Sequence, residues 1–550
     1  MQRAMSGTEK SRSDNKEGIL HMREFNVTGL CIPDKHYMVD ISEKLAKIKK
    51  MVDRGDYFTI NRARQYGKTT TLFLLEEALK EEYIVVSISF ERLGDESFES
   101  AAAFCRSFQK SIHRALELTD VSEEYKESWQ KEGVETFDDL SLHITKMCKP
   151  GTAGTDKKLV LMIDEVDKTS NNRTYLHFLG MLRDKYLERA KKKDYTFHSV
   201  ILAGVYDIKN IKLKMINEGA YTPAATENKI YNSPWNIAAD FDVDMSFPPA
   251  EIATMLTGYE EDHHTGMDIS AIADEIYSYT SGYPFLVSRM CKHVDQKLNK
   301  DWTHHGIQEA VKIILDEKST LFDDIYKNLE NNKDLYDFLY GLLVIGNGKG
   351  FNFYNPIIDL GYTYGFLDRG ERNKAVVSNR IFEILMYDYF ISKDTIPKRR
   401  VTGVTQRDVV DSGRFDMELC LRKFADHYAE IYSERDAEFI EREGRLLFLS
   451  YLKPLINGQG FYHIESQLTD FRRMDIVVDF GRDQFIIELK LWKGEVEHIK
   501  AYEQLAGYMC SKGLDTGYLL TFDFRKGADR QAYAKWVDYE GVRIFDVVVC

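Results

Sequence analysis

The sequence predicts an α/β protein with a parallel sheet, a mainly helical middle part and a second, smaller α/β domain. Short apolar runs alternate with helical patterns in the first half of the chain, which is typical of parallel strands with crossover helices. From Pro248 the pattern is helical, and three strand-like runs return after residue 412. A length of 550 residues, of which 43% are hydrophobic, gives room for several packed domains.

The first apolar run, residues 57–60, leads into a polar loop and then into a helical pattern. The loop ends in the residues Gly-Lys-Thr-Thr at 67–70, so strand, loop and helix follow the order that a phosphate-binding loop requires. Amide groups at a helix N-terminus attract an anion, Lys68 supplies a positive charge, and Thr69 offers a hydroxyl to Mg²⁺. Arg62 stands where the common form of this loop has a glycine. A basic loop before an ordinary helix is the alternative.

A second apolar run, within residues 158–167, leads into Asp164 and Glu165. It has the continuous hydrophobicity of a strand buried on both faces, and ligands of open α/β sheets bind at the carboxyl ends of such strands. We therefore expect Asp164 to hold Mg²⁺ and Glu165 to orient an attacking water. The next buried run, residues 199–205, is followed by Asp207. A helix cap or a surface acid is one interpretation of this residue, and the resemblance to ATPases that hold a γ-phosphate sensor at this place implies the other.

The remaining elements of the first half follow from their periodicity. Residues 41–52 have apolar positions at helical spacing, and residues 83–90 are a further apolar strand. Residues 97–118 and 175–190 are helical in pattern, and residues 121–148 form a charged helical insertion. Together these elements predict a sheet covered by helices.

The loop RARQYGKT at residues 62–69 resembles the AAA-ATPase-like proteins, whose loop typically has the pattern Arg-Pro-Arg-Arg-Phe-Gly-Lys-Ser/Thr. Ala63 stands for the proline and Gln65 for an arginine, and residues 37–40 and 233–237 are also similar to this family. The resemblance implies the fold of a P-loop NTPase with ATP and Mg²⁺ as cofactors. It implies that the nucleotide is bound by Arg64, Gly67, Lys68, Thr69, Thr70 and Asp164.

A Gly-Tyr-Pro turn precedes the helix predicted over residues 287–298. This turn resembles the helical lid of STAND and origin-recognition ATPases, in which the proline region packs against adenine. The resemblance implies that Pro284 contacts the base. Arg289, expected in the first turn of the helix, is a candidate for reaching the phosphates, and a surface salt bridge is the alternative.

Two helices and short strands around residues 346–353 and 375–377 indicate a winged-helix-like module, which in this setting more often relays the state of an ATPase than binds DNA. The predicted domains are a mobile tail over 1–30, an ATPase core over 31–248, a helical lid over 249–325, the winged-helix-like module over 326–392, a linker over 393–412 and a last domain over 413–550.

The last domain contains a second chemical pattern on strand-like runs at residues 460–466, 475–480 and 484–489. Asp475 is followed thirteen residues later by Glu488, and Lys490 lies two residues beyond. Residues two apart on a strand face the same side, so Glu488 and Lys490 project together, and Asp475 can approach from a partner strand. Two carboxylates suit Mg²⁺ or Mn²⁺, which activates a bound water, and Lys490 can neutralise a phosphate.

This pattern resembles the PD-(D/E)xK nuclease superfamily, although Met474 replaces the proline that usually precedes the aspartate. Gln504 and Tyr508, on the following helix, resemble the RecB-like branch, where they support the active site or touch nucleic acid. The resemblance also implies an additional metal-linked acid. Glu443 is the choice, with Glu441 and Glu465 as rivals, and Arg473 beside Arg472 is expected to meet a phosphate or to pair with nearby acids.

Composition limits the other possibilities. The net charge of −14 leaves no overall basic surface for nucleic acid, so local groups and metal ions must hold such a partner. Seven widely spaced cysteines without a Cys-x-x-Cys pair favour a reducing, cytoplasmic location. No apolar run approaches the length of a membrane span, so we expect no membrane partner.

The sequence therefore predicts an ATP-binding and ATP-hydrolysing switch coupled to a Mg²⁺-dependent nuclease that cleaves phosphodiester bonds in DNA or RNA. A role in defence against mobile elements follows by analogy alone. The first alternative is an ATP-controlled scaffold or regulator whose nuclease fold is inactive, and the second is a winged-helix DNA-binding regulator. A homo-oligomer and an unidentified activator stay open as further partners.

Overall fold

The computed structural model describes most of the chain. No helix among the described residues is long and apolar enough to cross a membrane. The described residues are 23–130, 132–169, 173–205, 235–345, 349–393, 404–431, 437–456, 459–466, 474–481, 483–523, 525 and 531–550.

A four-stranded parallel sheet forms the centre of the first half, with the strand order β1-β4-β3-β2. Its strands are almost entirely buried because helices cover both faces, which explains their continuous apolar sequences. The prediction of a parallel α/β sheet is confirmed. The strands are β1 (Tyr57–Asn61), β2 (Tyr83–Ser89), β3 (Lys158–Asp164) and β4 (Ser199–Gly204).

Two separate apolar layers hold the helices on this sheet. Ile48 and Leu75 pack with one face of the strands, whereas Phe108, Ile144 and Leu179 pack with the other. The helices are α1 (Ser42–Asp53), α2 (Lys68–Leu79), α3 (Ala101–Leu116), α4 (Glu123–Ser128), α5 (Phe137–Met147) and α6 (Arg173–Ala190).

The middle part is helical, with one small hairpin. Proline at the first helical position begins three of its helices, where the missing N–H costs nothing. The lid comprises α7 (Pro249–His263), α8 (Ile269–Thr280), α9 (Pro284–Lys297) and α10 (His304–Asp316). The helix α11 (Thr320–Asn331) spans the boundary between the predicted lid and the predicted winged-helix-like module. The rest of that predicted module consists of α12 (Lys333–Tyr340), α13 (Pro356–Thr363), the hairpin β5 (Leu367–Gly370) and β6 (Lys374–Val377), and α14 (Arg380–Lys393).

The N-terminal segment is ordered earlier in the chain than predicted. Phe25 is only 1% exposed, and its ring lies 5.0 Å from that of Tyr37 and 5.1 Å from that of Tyr259. The predicted mobile tail over residues 1–30 is therefore too long, because Phe25 packs on Tyr259 and Arg23 binds Asp262 of the predicted lid. Residues 1–22 lie outside the described residues.

The predicted linker over residues 393–412 is also too long. Its second part forms α15 (Gln406–Val409), with a capping box between Thr405 and Asp408, and β7 (Val410–Asp411), which pairs with β8 (Arg414–Phe415). Val409 is buried, which anchors this segment. Residues 394–403 lie outside the described residues.

The last domain is a six-stranded mixed sheet with the order β13-β14-β12-β11-β10-β9. Neighbours among β9, β10 and β11 are antiparallel, whereas β11, β12 and β14 are parallel and α18 connects β11 to β12. Its elements are α16 (Met417–Ile431), α17 (Ala437–Ile456), β9 (Gly460–Ser466), β10 (Met474–Phe480), β11 (Asp483–Leu491), α18 (Glu495–Lys512), β12 (Thr516–Phe522), β13 (Tyr533–Tyr539) and β14 (Val542–Val549).

One apolar cluster runs through the lid, the winged-helix-like module and the last domain, and it includes Leu286, Phe382, Leu452 and Ile487. Polar contacts border it: Lys312 Nζ donates to the Gln459 carbonyl at 3.0 Å, and the Tyr462 hydroxyl donates to Asp388 at 3.1 Å. The last domain is therefore packed against the two modules before it.

Candidate functional site

The loop between β1 and α2 has a conformation that selects glycine at its end. Gly67 precedes α2 with φ +77°, in the left-handed region. A Cβ there would meet only the Pro284 Cβ at 4.0 Å, so the backbone conformation, and not space, requires glycine. The first amide groups of α2 point out of its N-terminus and form an anion-binding end of the helix.

Lys68 is directed back at the loop itself. Lys68 is 7% exposed, and its Nζ donates to the carbonyls of Arg62 and Ala63 at 3.0 Å each. Burial lowers the pKa of Lys68, while the neighbouring acids raise it. The ammonium group is thus held inside the loop by two neutral acceptors.

Thr69 and Asp164 come together although 95 residues separate them, since Thr69 Oγ1 donates to Asp164 Oδ2 at 2.7 Å. The other carboxylate oxygen of Asp164 accepts the Glu165 amide at 2.9 Å. A hydroxyl and a carboxylate in contact beside a helix N-terminus suit the coordination of Mg²⁺ on a nucleotide. The hydroxyl of Thr69 and the carboxylate of Asp164 are therefore suitable ligands for the Mg²⁺ that the sequence implied.

Glu165 has a left-handed backbone, with φ +55°. Such a conformation costs on the order of 1–3 kcal/mol in a non-glycine residue and is tolerated mainly at functional positions. Burial raises the pKa of Glu165, and the charge of Asp164 raises it further. The residue lines a polar cavity of about 430 Å³ together with Arg64 and Asp167.

Asp167 was missed in the sequence, although it is the third acid of the stretch DEVD. Its carboxylate accepts a short hydrogen bond from the Val205 amide, and a Cβ on Gly204 would lie 2.7 Å from its Oδ1. Asp167 therefore ties the end of β3 to the end of β4. Asp207, the predicted sensor beyond β4, lies outside the described residues.

An apolar cavity of about 330 Å³ lies on the other side of the loop. The N-terminal segment lines part of it, and the Cys31 amide donates to Thr70 Oγ1 at 3.3 Å. The sequence predicted that Pro284 lines this site, but it did not predict the contribution of residues 26–31. That contribution depends on a contact between segments that are distant in the sequence. Lining side chains include Val27, Tyr37, Val39, Phe247, Pro284 and Phe285.

The two predicted arginines bind carboxylates. Arg64 Nη1 lies 3.0 Å from Asp324 Oδ2, and its side chain is 71% exposed. Arg289 Nη2 lies 2.6 Å from Glu317 Oε2, which is the salt bridge that the sequence left open as the alternative. Because α9 begins at Pro284, Arg289 lies in the second turn of the helix and not in the first.

The lid and the winged-helix-like module contact the loop directly. The Tyr283 hydroxyl donates a short hydrogen bond to the Arg64 carbonyl, and the rings of Tyr66 and Tyr283 lie 4.7 Å apart. Gly365 has φ +76°, and a Cβ there would lie 2.7 Å from the Ala63 Cβ. The phosphate-binding loop is therefore enclosed by elements that follow it by more than two hundred residues.

In the last domain, strand register places Asp475 of β10 opposite Glu488 of β11 and also opposite Glu465 of β9. Glu488 is 2% exposed, and its carboxylate forms a short ion pair with Lys490 Nζ. The side chains of Asp475, Glu441, Glu443 and Glu465, and all of Arg472 and Arg473, lie outside the described residues.

Gln504 and Tyr508 lie on α18, as predicted from the sequence. Tyr508 packs against the apolar cluster that joins α18 to Val477 and Ile486. Since strand residues two apart share a face, α18 covers the face on which Glu488 also lies. The described side chains contain no group of three His, Cys, Asp or Glu residues that could hold a metal, and Asp475 is not among those side chains.

The parallel sheet, the loop after β1 and the acids after β3 define a P-loop protein. Residues 35–339, more than half of the chain, match the AAA-like domain family, and the chain belongs to that family. The match covers the predicted ATPase core and lid and reaches into the winged-helix-like module. None of the curated proteins matches the chain.

Three solved structures are similar to about two thirds of the chain at low sequence identity. A Walker-type ATPase of Pyrococcus abyssi is 11% identical, with 66% of this chain and 99% of that chain covered and a TM-score of 0.44. CDC6P from Pyrobaculum aerophilum is 13% identical, with coverage of 63% and 94% and a TM-score of 0.29. The ORC2 protein of Aeropyrum pernix, in ADPNP–ADP complexes, is 12% identical, with coverage of 64% and 93% and a TM-score of 0.33.

Proposed function

We propose that the protein is an ATP-binding and ATP-hydrolysing switch that controls a Mg²⁺-dependent nuclease in its last domain. The observation that carries the first half is the contact of Thr69 with Asp164 at a helix N-terminus, beside the buried Lys68. Three groups with the chemistry of a nucleotide site thus converge from two distant segments. Family membership supports the same conclusion.

In the proposed complex, the phosphates lie at the N-terminus of α2, and Lys68 exchanges its two carbonyl partners for phosphate oxygens. Thr69 and Asp164 would hold Mg²⁺, which neutralises charge between the phosphates when it is bound. The base enters the apolar cavity and packs against Pro284, since a volume of about 330 Å³ is within the range of small-ligand sites.

Glu165 is the proposed base for hydrolysis. Burial, together with the charge of Asp164, raises the pKa of Glu165, which makes its carboxylate a better proton acceptor for a bound water. Its backbone amide is bound to Asp164, so the carboxylate is positioned relative to the proposed metal ligands.

ATP hydrolysis and nucleotide binding test this half. Glu165→Gln should keep nucleotide affinity and lower kcat by about 10²-fold or more, as loss of a positioned base does. Lys68→Ala should abolish binding. Normal hydrolysis by the Lys68 variant would overturn the assignment of the loop.

For the second half, the support is the register of β10 and β11. It places Asp475 opposite Glu488, and Lys490 follows on the same strand, which is the arrangement of the PD-(D/E)xK nucleases. A carboxylate that is 2% exposed inside a sheet is costly unless charge compensates it. Asp475 and Glu488 would hold Mg²⁺ or Mn²⁺, and Lys490 would neutralise the phosphate under attack.

Further groups of this site follow from the same proposal. Glu443 on α17 would add a metal-linked acid, and Arg473 would contact a phosphate of DNA or RNA. Gln504 and Tyr508 on α18 would support the site from the face that this helix covers. Glu443, Gln504 and Tyr508 belong to the proposal because α17 and α18 both border the sheet.

The nuclease half is tested with single- and double-stranded DNA and RNA, with Mg²⁺ or Mn²⁺, and with or without ATP. Asp475→Ala, Glu488→Ala and Lys490→Ala should each abolish cleavage and leave ATP binding intact. Glu503→Ala, at an exposed position of α18, is the matched control and should cleave normally. Cleavage retained in all three site variants would reject the nuclease.

The second candidate function is an ATP-controlled scaffold, and the continuous core favours it as much as it favours a controlled nuclease. The apolar cluster joins the lid to the last domain. A movement of the lid would therefore change the packing of the last domain, whether or not its sheet is catalytic. Absence of cleavage and of Mn²⁺ binding through Glu488, with ATP hydrolysis intact, would support the scaffold.

A further inference from the structure

The carboxyl ends of β11 and β12 carry a second group of polar side chains, next to Lys490. The two strands are parallel, and their register places Thr521 of β12 opposite Lys490 of β11. Because residues two apart on a strand share a face, Asp523 follows Thr521 on the face of Lys490. Trp492 follows Lys490 in the same way, and its amide donates to the Phe522 carbonyl at 2.9 Å. The pairing of the two strands therefore continues to this edge.

Arg525 is held at this edge by a buried carboxylate. Asp523 is only 1% exposed, and its carboxylate accepts from Nε of Arg525 at 3.0 Å, from Nη2 at 2.7 Å and from the backbone amide at 3.1 Å. A guanidinium group presents its donors in a planar fork, and Asp523 binds the side formed by Nε and Nη2. The end formed by the two Nη atoms is directed away from that carboxylate. The Arg525 side chain is 48% exposed, so a fixed cation lies at the surface beside Lys490.

The ring of Trp492 holds the same guanidinium from a second direction. Cζ of Arg525 lies 5.1 Å from the ring centroid, within the range of a cation–π contact. The ring also lies 4.8 Å from that of His498, whose Nε2 lies 2.9 Å from a carboxylate oxygen of the fully buried Asp546. His498 belongs to α18, which covers the face of Glu488. These contacts place Arg525 on the face of the proposed nuclease site.

A guanidinium in this position suits a phosphate diester. Its planar fork matches two oxygens of one phosphate, and a side chain that is already fixed loses little freedom on binding. Trp492 lies two residues beyond Lys490, about 7 Å along the strand, which is comparable with the separation of neighbouring phosphates in a nucleic-acid strand. The net charge of the chain is −14, so such local cations must supply the attraction for a polyanion.

We propose that Arg525 binds the phosphate next to the one under attack and so positions a nucleic-acid strand over Glu488 and Lys490. This inference rests on the proposed nuclease function of the last domain. Asp523 and Trp492 are positioning residues that hold the guanidinium. Because the contact is with the backbone and not with a base, it carries no sequence preference.

The test measures binding and cleavage of labelled DNA and RNA oligonucleotides of two unrelated sequences by the full chain. Fluorescence anisotropy follows binding with Ca²⁺ in place of Mg²⁺, and electrophoresis checks that the substrate stays intact. Arg525→Ala should raise Kd about tenfold for every sequence, as the loss of one charged contact does. The slope of log Kd against log salt concentration should fall by about one unit. In cleavage with Mg²⁺, KM should rise about tenfold and kcat should stay within about threefold.

Two further variants separate binding from folding. Arg525→Ala leaves a buried carboxylate without its arginine, which destabilises the fold. The double variant Asp523→Asn with Arg525→Ala removes both charges and should show the same loss of affinity. Arg525→Lys keeps the charge without the planar fork and should weaken binding about threefold.

Arg543→Ala is the matched control. Its side chain is 59% exposed, Cζ lies 4.6 Å from the centroid of the Trp536 ring, and Nε lies 3.8 Å from Asp538 Oδ1. Arg543 thus has the same kinds of neighbour as Arg525, but it lies near the amino end of β14 and on the other face of the sheet, since Val542 and Ile544 pack with α18. This variant should bind and cleave as the wild type does.

Three outcomes overturn the inference while the nuclease stands. They are wild-type affinity and salt dependence in a folded Arg525→Ala or double variant, an equal loss of affinity in Arg543→Ala, and a loss confined to kcat. Thermal unfolding shows whether each variant is folded. If neither alanine variant folds, Arg525→Lys decides, and wild-type affinity in that variant overturns the inference. A wild-type chain that neither binds nor cleaves any oligonucleotide would overturn the proposed nuclease and this inference with it.

Discussion

The loop site and the strand site of the last domain hold their charges in different ways. At the loop, Lys68 is bound to neutral carbonyls and Asp164 to a hydroxyl, so these groups can exchange their partners for a ligand. On β11, Glu488 and Lys490 compensate each other within the sheet. The charged groups of the loop site can therefore exchange their neutral partners for a ligand. At the strand site, the carboxylate of Glu488 is already paired with the ammonium group of Lys490.

The two sites also differ in what surrounds them. The loop is contacted by the lid and by the winged-helix-like module through Tyr283, Thr320, Asp324 and Gly365. Glu488 is enclosed within its own sheet and beneath α18. The loop therefore has direct polar contacts with parts of the chain that follow it, whereas Glu488 lies inside the packed last domain.

The largest expected effect concerns the self-compensated pair. Lys490→Met should destabilise the last domain by about 3 kcal/mol without metal, because a carboxylate buried in the sheet loses its ammonium partner. Mn²⁺ should restore part of this loss. Urea unfolding measures both, with Lys500→Met, which removes an exposed pair with Glu497, as the control. Equal losses in the two variants would remove the distinction between the sites.

The next effect concerns the close approach at the loop. Gly365→Ala should cost about 2 kcal/mol, because alanine is strained at φ +76° and its Cβ would lie 2.7 Å from that of Ala63. Gly413→Ala, at φ +81° with open space, isolates the conformational part and should cost about 1 kcal/mol. Only the first variant should also weaken nucleotide binding, and if both weaken it equally the contact with Ala63 is not the reason.

A smaller effect arises where the lid meets the last domain. Burial raises the pKa of Glu275 to about 7, His304 opposes this, and Asp479 of the last domain adds to it. The protonated acid is therefore favoured by folding, and its stabilisation is present below about pH 4.5 and lost as the pH rises through about 7.

Glu275→Gln should flatten this part of the stability profile by on the order of 1–2 kcal/mol and make the protein relatively more stable at pH 8. Thermal unfolding between pH 5 and pH 8 measures it. A variant whose midpoint follows that of the wild type at every pH would show that this carboxyl does not titrate across the interface.

The smallest effect belongs to the exposed contact between the two regions. A double-mutant cycle of Arg64→Ala and Asp324→Ala should give a coupling of about 0.5 kcal/mol or less, decreasing with salt, since the guanidinium is 71% exposed. A coupling well above 1 kcal/mol, unaffected by salt, would make this pair a structural anchor instead of a contact that nucleotide binding can change.

The sequence predicted what is local. β1, β3, β4 and the glycine at the end of the loop follow from apolar runs and from one contiguous motif. The two strands that carry Asp475 and Glu488 lie where the strand-like runs predicted them. For Arg289 the sequence left two partners open, a nucleotide phosphate and a carboxylate, because a position on a helix does not show which of them the side chain reaches.

Non-local contacts could not be predicted. Nothing near Phe25 indicates that its ring packs on Tyr259, and nothing near Gly365 points to Ala63, because these approaches depend on how distant helices cross. The polar face of α11 resembles an ordinary solvated face until the fold turns it towards Gln65 and Arg64. Asp167 is a different case. Its carboxylate is evident in the sequence, but its hydrogen bond to the Val205 amide depends on the neighbouring strand.

The unbroken apolar cluster has a consequence for inheritance. Cutting the gene between the winged-helix-like module and the last domain would yield two products with exposed surfaces that include Tyr279 on one side and Phe461 on the other. Each product would be prone to aggregate. The last domain could then not be transferred between genes as an independent unit. A recombinant protein would need the apolar residues on both sides of this interface to remain complementary.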